Sequence, residues 1–327
     1  MNPALILTLV LPLISAELPY SRGLTPHFIS WLNDTGLYEP YGFNKTLVFG
    51  GSFGGRESDD DRPTRRPVVF VHGTADSVIG DNWKNNGFRA TIEHFIDRGY
   101  TKAELYGSTW GWADYYHEFQ HVYQQEYVMY IRKFIEAVLD YTGAEHIDVI
   151  CHSMGVPLTR RALKGGWSSV PTSRVEYGSA DPEERPFYIG KPLTRRVKHF
   201  IGIVGPNYGV GNCTKPEFKA QFRGCNPWNG FYPGSAPGSP VPEDLTPWLR
   251  ALDVDRTREG ESAFAFVSYA DETIPSEVFG RFTAEYPTMN RSFHFSNFSH
   301  REARDLTTEL QYQIINDLYK DEPASFL

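Results

Sequence analysis

His146-Ile-Asp-Val-Ile-Cys-His-Ser-Met-Gly155 reads as a strand that runs into a serine. Ile147, Val149, Ile150 and Cys151 carry the apolar content of a buried strand. Val156-Pro-Leu-Thr-Arg-Arg-Ala-Leu163 then reads as a helix, with Pro157 near the first turn, where a missing N–H costs little. Ser153 therefore stands at a tight strand-to-helix turn. Such a turn imposes strained backbone angles on its central residue, so the residues two before and two after it must be small. Here they are Cys151 and Gly155. The same geometry presents the hydroxyl at a helix N-terminus, whose amides favour a developing oxyanion.

Outward from this stretch, the chain repeats strand and helix. Val68-Val-Phe-Val71 is a run of β-formers without polar alternation, as expected for a strand buried on both faces of a parallel sheet, and it ends in His72-Gly73-Thr74. Trp83 to Arg98 is expected to be helical, Ala103 to Tyr106 a strand, and Phe119 to Tyr141 a strong helix closed by Gly143. After the serine come strands at Val197–Val204, Ala263–Tyr269 and Arg291–Phe295. A final helix is expected with Leu306, Leu310, Ile314 and Leu318 in register. This rhythm predicts an α/β fold, a mostly parallel doubly wound sheet with helices on both faces. Lys164 to Arg196 has no period and is expected as an insertion at the carboxyl edge or a surface loop. The stretch from Gly205 to about Pro247 is a long Gly/Pro-rich excursion. Residues 17–66 read as an N-terminal extension, with Gly50–Gly55 and Asp59–Asp61 as loop, ahead of a catalytic domain over 67–327.

The 327 residues suffice for a large core, and a net charge of −8 gives nucleic acid no basic face to bind. Residues 1–16 are expected to be a secretion signal: Ala4–Ile14 is an apolar run of 11 residues, too short for a membrane span, and Ala16 offers a small residue before Glu17. No later stretch has the length of a transmembrane helix. Sequons at Asn33, Asn44, Asn212, Asn290 and Asn297 agree with export and are candidate glycosylation sites. In an oxidising compartment Cys213 and Cys225 are expected to pair, which leaves Cys151 as a small packing residue beside the serine.

A serine hydroxyl becomes a strong nucleophile when an imidazole takes its proton, and that imidazole needs a carboxylate to fix its tautomer. C-x-S-x-G at residues 151–155 is a form of the nucleophile elbow of α/β-hydrolases, in which serine, acid and histidine follow one another along the chain in loops after strands. Asp271 and His300 meet those demands. Glu272 rivals Asp271 from one residue further into its turn, while His199 and His294 fall inside strands. In this fold the loop after Val71 and the residue after the nucleophile supply the oxyanion-hole amides, here those of Thr74 and Met154.

Val71-His-Gly73, Val149–Gly155, Gly205-Pro-Asn-Tyr-Gly209 and Ala270-Asp-Glu-Thr-Ile274 resemble the class 2 triacylglycerol lipases, α/β-hydrolases with bacterial and animal members. The resemblance runs from about Pro67 to Lys320. It implies cleavage of lipid carboxylic esters through an acyl-serine, at an oil–water interface or away from one, with no cofactor and no metal expected. Two departures stand out. Cys151 replaces the first small glycine of the elbow, and Val156 stands where many relatives have a second glycine, an expected narrowing of the helix–strand packing. Phospholipid, small-ester or thioester substrates remain alternatives within the enzymes, and a secreted binding protein on an inactive hydrolase scaffold is the reading outside them. Trp110, Trp112, Trp228, Phe231 and Tyr232 are expected either to line an acyl groove or to pack under loops.

Overall fold

The computed structural model describes residues 21–81, 85–171, 184–239 and 244–320. The signal expected over residues 1–16 lies outside them. Among the described residues, an eight-stranded sheet forms the centre of the molecule. Its strands are β1 (Gly23–Leu24), β2 (Ser52–Gly54), β3 (Val68–Val71), β4 (Leu105–Ser108), β5 (Ile147–His152), β6 (Val197–Ile203), β7 (Ser262–Ser268) and β8 (Arg291–Phe295), lying side by side in the order β1-β2-β4-β3-β5-β6-β7-β8. From β4 to β8 every neighbouring pair is parallel, and β2 joins β4 antiparallel.

The apolar runs explain the layering. Val69, Val71, Val149 and Cys151 belong to one buried cluster, whereas Val68, Phe70 and Ile150 belong to another. Successive side chains on one strand point to opposite faces, so a strand without polar residues must be covered on both sides. The helices α1 (Pro26–Asp34), α3 (Gln125–Thr142) and α4 (Gly155–Lys164) contribute to the first cluster, as does α5 (Pro247–Val254). The second is closed by α2 (Arg89–Asp97) and α6 (Thr308–Ile315). The order gives the central strands special importance. The chain moves outward from β3 to β4, then crosses back to β5 and continues outward the other way, so the carboxyl ends of β3 and β5 meet at a topological switch point, where open α/β sheets form their binding crevice.

Several boundaries differ from the sequence expectation. Gly50–Gly55, read as loop, contains β2, because Gly54 lies so close to β4 that a Cβ on it would come within 2.3 Å of the Leu105 carbonyl oxygen. The stretch read as an N-terminal extension thus supplies two strands of the sheet, and α1 places Phe28 against Tyr141 at a ring separation of 4.3 Å. The helix expected from Trp83 begins at Arg89, after Gly87 turns at φ +53° with its N–H on Asp76. The helix expected from Phe119 begins at Gln125. Before it, a 3₁₀ segment spans Tyr115–Gln120, and the Tyr123 N–H donates to the Asn229 carbonyl at 2.7 Å, holding the chain out of the helix.

Within Lys164–Arg196, where no period was evident, Gly166–Pro171 and Glu184–Gly190 pair as an antiparallel hairpin. The C-terminal helix is split into Glu302–Asp305 and α6. Leu306 and Leu318 fall outside both pieces and are more than half exposed, while Ile314 and Ile315 face the core. Cys213 and Cys225 form a disulfide with a Cα–Cα distance of 4.8 Å, closing the excursion after β6, and Cys151 is free and buried.

Candidate active site

Ser153 follows β5 directly and has φ +53°, the left-handed conformation the elbow demands of its centre. Its N–H donates to the Ile203 carbonyl at 2.9 Å, which ties the turn to the end of β6. Gly155 is required by close approach: a Cβ there would lie 2.4 Å from the His72 carbonyl oxygen and 2.7 Å from that of Val71. Cys151 is fully buried, and burial pushes its thiol well above the usual range, so it is a neutral packing group. The narrowing expected at Val156 is absorbed by the opposite wall. A Cβ on Gly202 would meet Val156 Cγ1 at 2.9 Å, and one on Gly205 would meet Val156 Cβ at 2.5 Å.

The loop after β3 lies over the serine. A Cβ at Gly73 would stand 2.7 Å from Ser153 Cβ and 3.3 Å from its Oγ. His72 anchors this loop: its ring stacks on Trp110 at 5.4 Å, its Nε2 accepts from the Trp110 backbone N–H, and its carbonyl accepts from the Trp110 indole. Burial lowers its pKa to about 4, so His72 is neutral and able to accept. Thr74 Oγ1 donates to the Glu118 carbonyl at 2.8 Å, and Ala75 takes φ +57°. Among the described residues, the backbone N–H groups of Thr74 and Met154 have no hydrogen-bond partner.

Asp271 and His300 are brought together. His300 Nδ1 and Asp271 Oδ2 are 2.7 Å apart, both residues are buried, and Asp271 Oδ1 accepts the N–H groups of Thr273 and Ile274 at 2.9 and 2.7 Å. Glu272 accepts the His300 backbone N–H at 3.0 Å instead of reaching the ring. From the other side, His152 Nε2 is 3.0 Å from the His300 carbonyl oxygen, an acceptor, so that nitrogen carries the proton. The two imidazole rings lie 4.6 Å apart, and burial drives the His152 pKa well below its ordinary value. Ser153 follows His152 in the chain, and its Oγ makes no hydrogen bond to a described residue. Glu272 and His152 as supports of His300 were not apparent from sequence; their only signal was adjacency to Asp271 and Ser153.

His199 lies in β6 and His294 in β8, away from this constellation. Of the five aromatics considered for a groove, Trp110, Phe231 and Tyr232 are buried, with Phe231 packed on Tyr123, whereas Trp112 and Trp228 remain about 40% exposed. Asn33, Asn290 and Asn297 are exposed; Asn44 and Asn212 are partly covered.

The strand order and the strained serine between β5 and α4 define an α/β-hydrolase. The chain belongs to the class 2 lipases, whose family model matches residues 65–313. No curated protein matches it in sequence. Among solved structures, it is similar to Aspergillus fumigatus lipase B, with 14% identity, a TM-score of 0.49, and coverage of 84% of this chain and 57% of that one. It is also similar to Bacillus licheniformis lipase BlEst2, with 12% identity, a TM-score of 0.49, and coverage of 81% and 96%. For the Bacillus subtilis naproxen esterase the identity is 12%, the TM-score 0.39, and the coverage 82% and 86%. The chain thus spans little more than half of the fungal lipase chain.

Proposed function

We propose that this protein is a secreted serine hydrolase that cleaves carboxylic esters of lipids through an acyl-serine intermediate. The observation that carries the reading is the buried 2.7 Å Asp271–His300 pair beside the elbow that bears Ser153. In this reading His300 takes the Ser153 proton as the hydroxyl attacks the ester carbonyl, and Asp271 fixes the tautomer and stabilises the imidazolium. The backbone N–H groups of Thr74 and Met154, without partners among the described residues, receive the oxyanion. His300 then protonates the leaving alcohol. Water, deprotonated by the same imidazole, releases the fatty acid and restores Ser153. Family membership supports a lipid substrate, and the sequence of residues 1–16 and the five sequons support export.

The test uses protein secreted from a eukaryotic host. Ser153→Ala is expected to abolish turnover of a p-nitrophenyl ester and labelling by a fluorophosphonate while leaving the circular dichroism spectrum unchanged. Retained turnover in the folded variant would overturn the reading. Triolein emulsion against short soluble esters then separates lipase from esterase.

A further inference from the structure

We infer that Asp76 and Arg304 are positioning residues for the reaction proposed above: their ion pair fixes the turn that carries the Thr74 amide relative to the segment that carries His300. The two residues come from distant parts of the chain. Asp76 follows Thr74 by two positions, across Ala75 with its φ of +57°, and Arg304 follows His300 by four. Arg304 Nη1 donates to Asp76 Oδ2 at 2.6 Å, and the side chains are 0% and 5% exposed.

The remaining bonds fix direction as well as distance. Asp76 Oδ1 accepts the N–H groups of Ser77 and Gly87 at 2.9 and 3.0 Å, so its carboxylate holds its own turn and the entry to α2. The guanidinium also donates to Asn86 Oδ1 at 2.5 Å and to both carboxylate oxygens of Asp305, while Asn86 returns a bond to Asp305. The Arg304 carbonyl accepts from the buried Gln311 amide at 2.7 Å, which locks the arginine backbone to α6. A planar guanidinium with fixed donors suits this task, whereas an ammonium presents a single flexible point charge.

Burying such a pair costs desolvation that its own attraction barely offsets, and apolar side chains of similar volume commonly hold a core at least as well. What an apolar pair cannot do is fix angle and register across the gap. Oxyanion donors act only when aimed in advance at the charge that develops, and a displacement of about 1 Å can cost ~10²-fold in rate. His300 is already held at its N–H, its carbonyl and its ring. Thr74 is held at Oγ1 by Glu118. The Asp76–Arg304 pair joins the flanks of these two groups directly at 2.6 Å, whereas the Arg301–Glu118 pair spans 3.9 Å.

The inference rests on the serine-hydrolase reading, and the experiment keeps the two apart. The apolar double variant Asp76→Leu/Arg304→Met and the single variant Arg304→Lys are assayed with a soluble p-nitrophenyl ester, alongside thermal unfolding and Ser153→Ala. The double variant is expected to stay folded with a lower midpoint, because the Gly87 N–H, Asn86 and Asp305 each lose a partner, and to keep KM within about twofold, with kcat lower by ~10². Wild-type kcat in that folded double variant would overturn the inference. Should it fail to fold, Arg304→Lys decides: a kcat loss of about tenfold at unchanged KM supports positioning, and unchanged kcat overturns it. Turnover retained in Ser153→Ala would instead remove the underlying reading.

Discussion

Val156 fills the volume that any side chain at Gly205 would need, with only 2.5 Å between its Cβ and the Cβ that Gly205 lacks. The first turn of α4 therefore sits against the chain leaving β6 through a valine on one side and a glycine on the other. The elbow tolerates a residue larger than glycine at position 156 because Gly202 and Gly205 both yield to it.

The exchange predicts a compensating pair. Gly205→Ala is expected to destabilise the protein by about 1–3 kcal/mol through overpacking, since no positive φ complicates the position. Adding Val156→Gly, which removes the Cβ at 2.5 Å, should recover part of that loss. Urea unfolding of the two single variants and the double variant measures the coupling, and additive single effects would disprove the contact.

Gly73→Ala is expected to cost activity as well as stability. The new methyl group would stand 2.7 Å from Ser153 Cβ and 3.3 Å from Oγ, in the space an ester carbonyl must enter. We expect kcat/KM for a p-nitrophenyl ester to fall at least ~10²-fold, equivalent to about 2.7 kcal/mol of transition-state stabilisation. A variant with wild-type kcat/KM would show that substrate approaches from another side.

Stability should fall on the acid side because of buried histidines near the site. Burial lowers the pKa of both His72 and His121 to about 4 and holds that of His152 well below the 6.5 of an unperturbed imidazole. Between pH 6.5 and about 4 the unfolded chain binds protons that the folded protein refuses, so folding stability drops as pH falls through that window. His121 is the cleanest place to test this, since its ring packs between Trp110, Trp112 and Tyr127. His121→Phe should lose about 2 kcal/mol less than the wild type between pH 6.5 and 4.5 in urea unfolding, one pKa unit being worth about 1.4 kcal/mol. Parallel pH curves would refute the assignment.

Much of this protein is written in its local pattern. Val68–Val71 and the stretch from Ile147 into α4 announce two strands buried on both faces and a serine at a strand-to-helix turn, because uninterrupted apolar runs and small flanking residues admit few other structures. The order Ser153, Asp271, His300 and the placement of each after a strand were legible for the same reason. Position in the turn favours Asp271 over Glu272; the part Glu272 plays was hidden, since only the packed fold sends the first carboxylate to the His300 ring and the second to its backbone N–H. The pairing of glycine-rich β2 with β4 was hidden as well, since its partner lies far along the chain and close approach leaves no apolar pattern. Arg304 carries no signal in the local pattern. Burial against Asp76, some 228 residues away in sequence, is a property of the tertiary structure alone, because local sequence sets which elements form but long-range packing sets which polar groups must find one another.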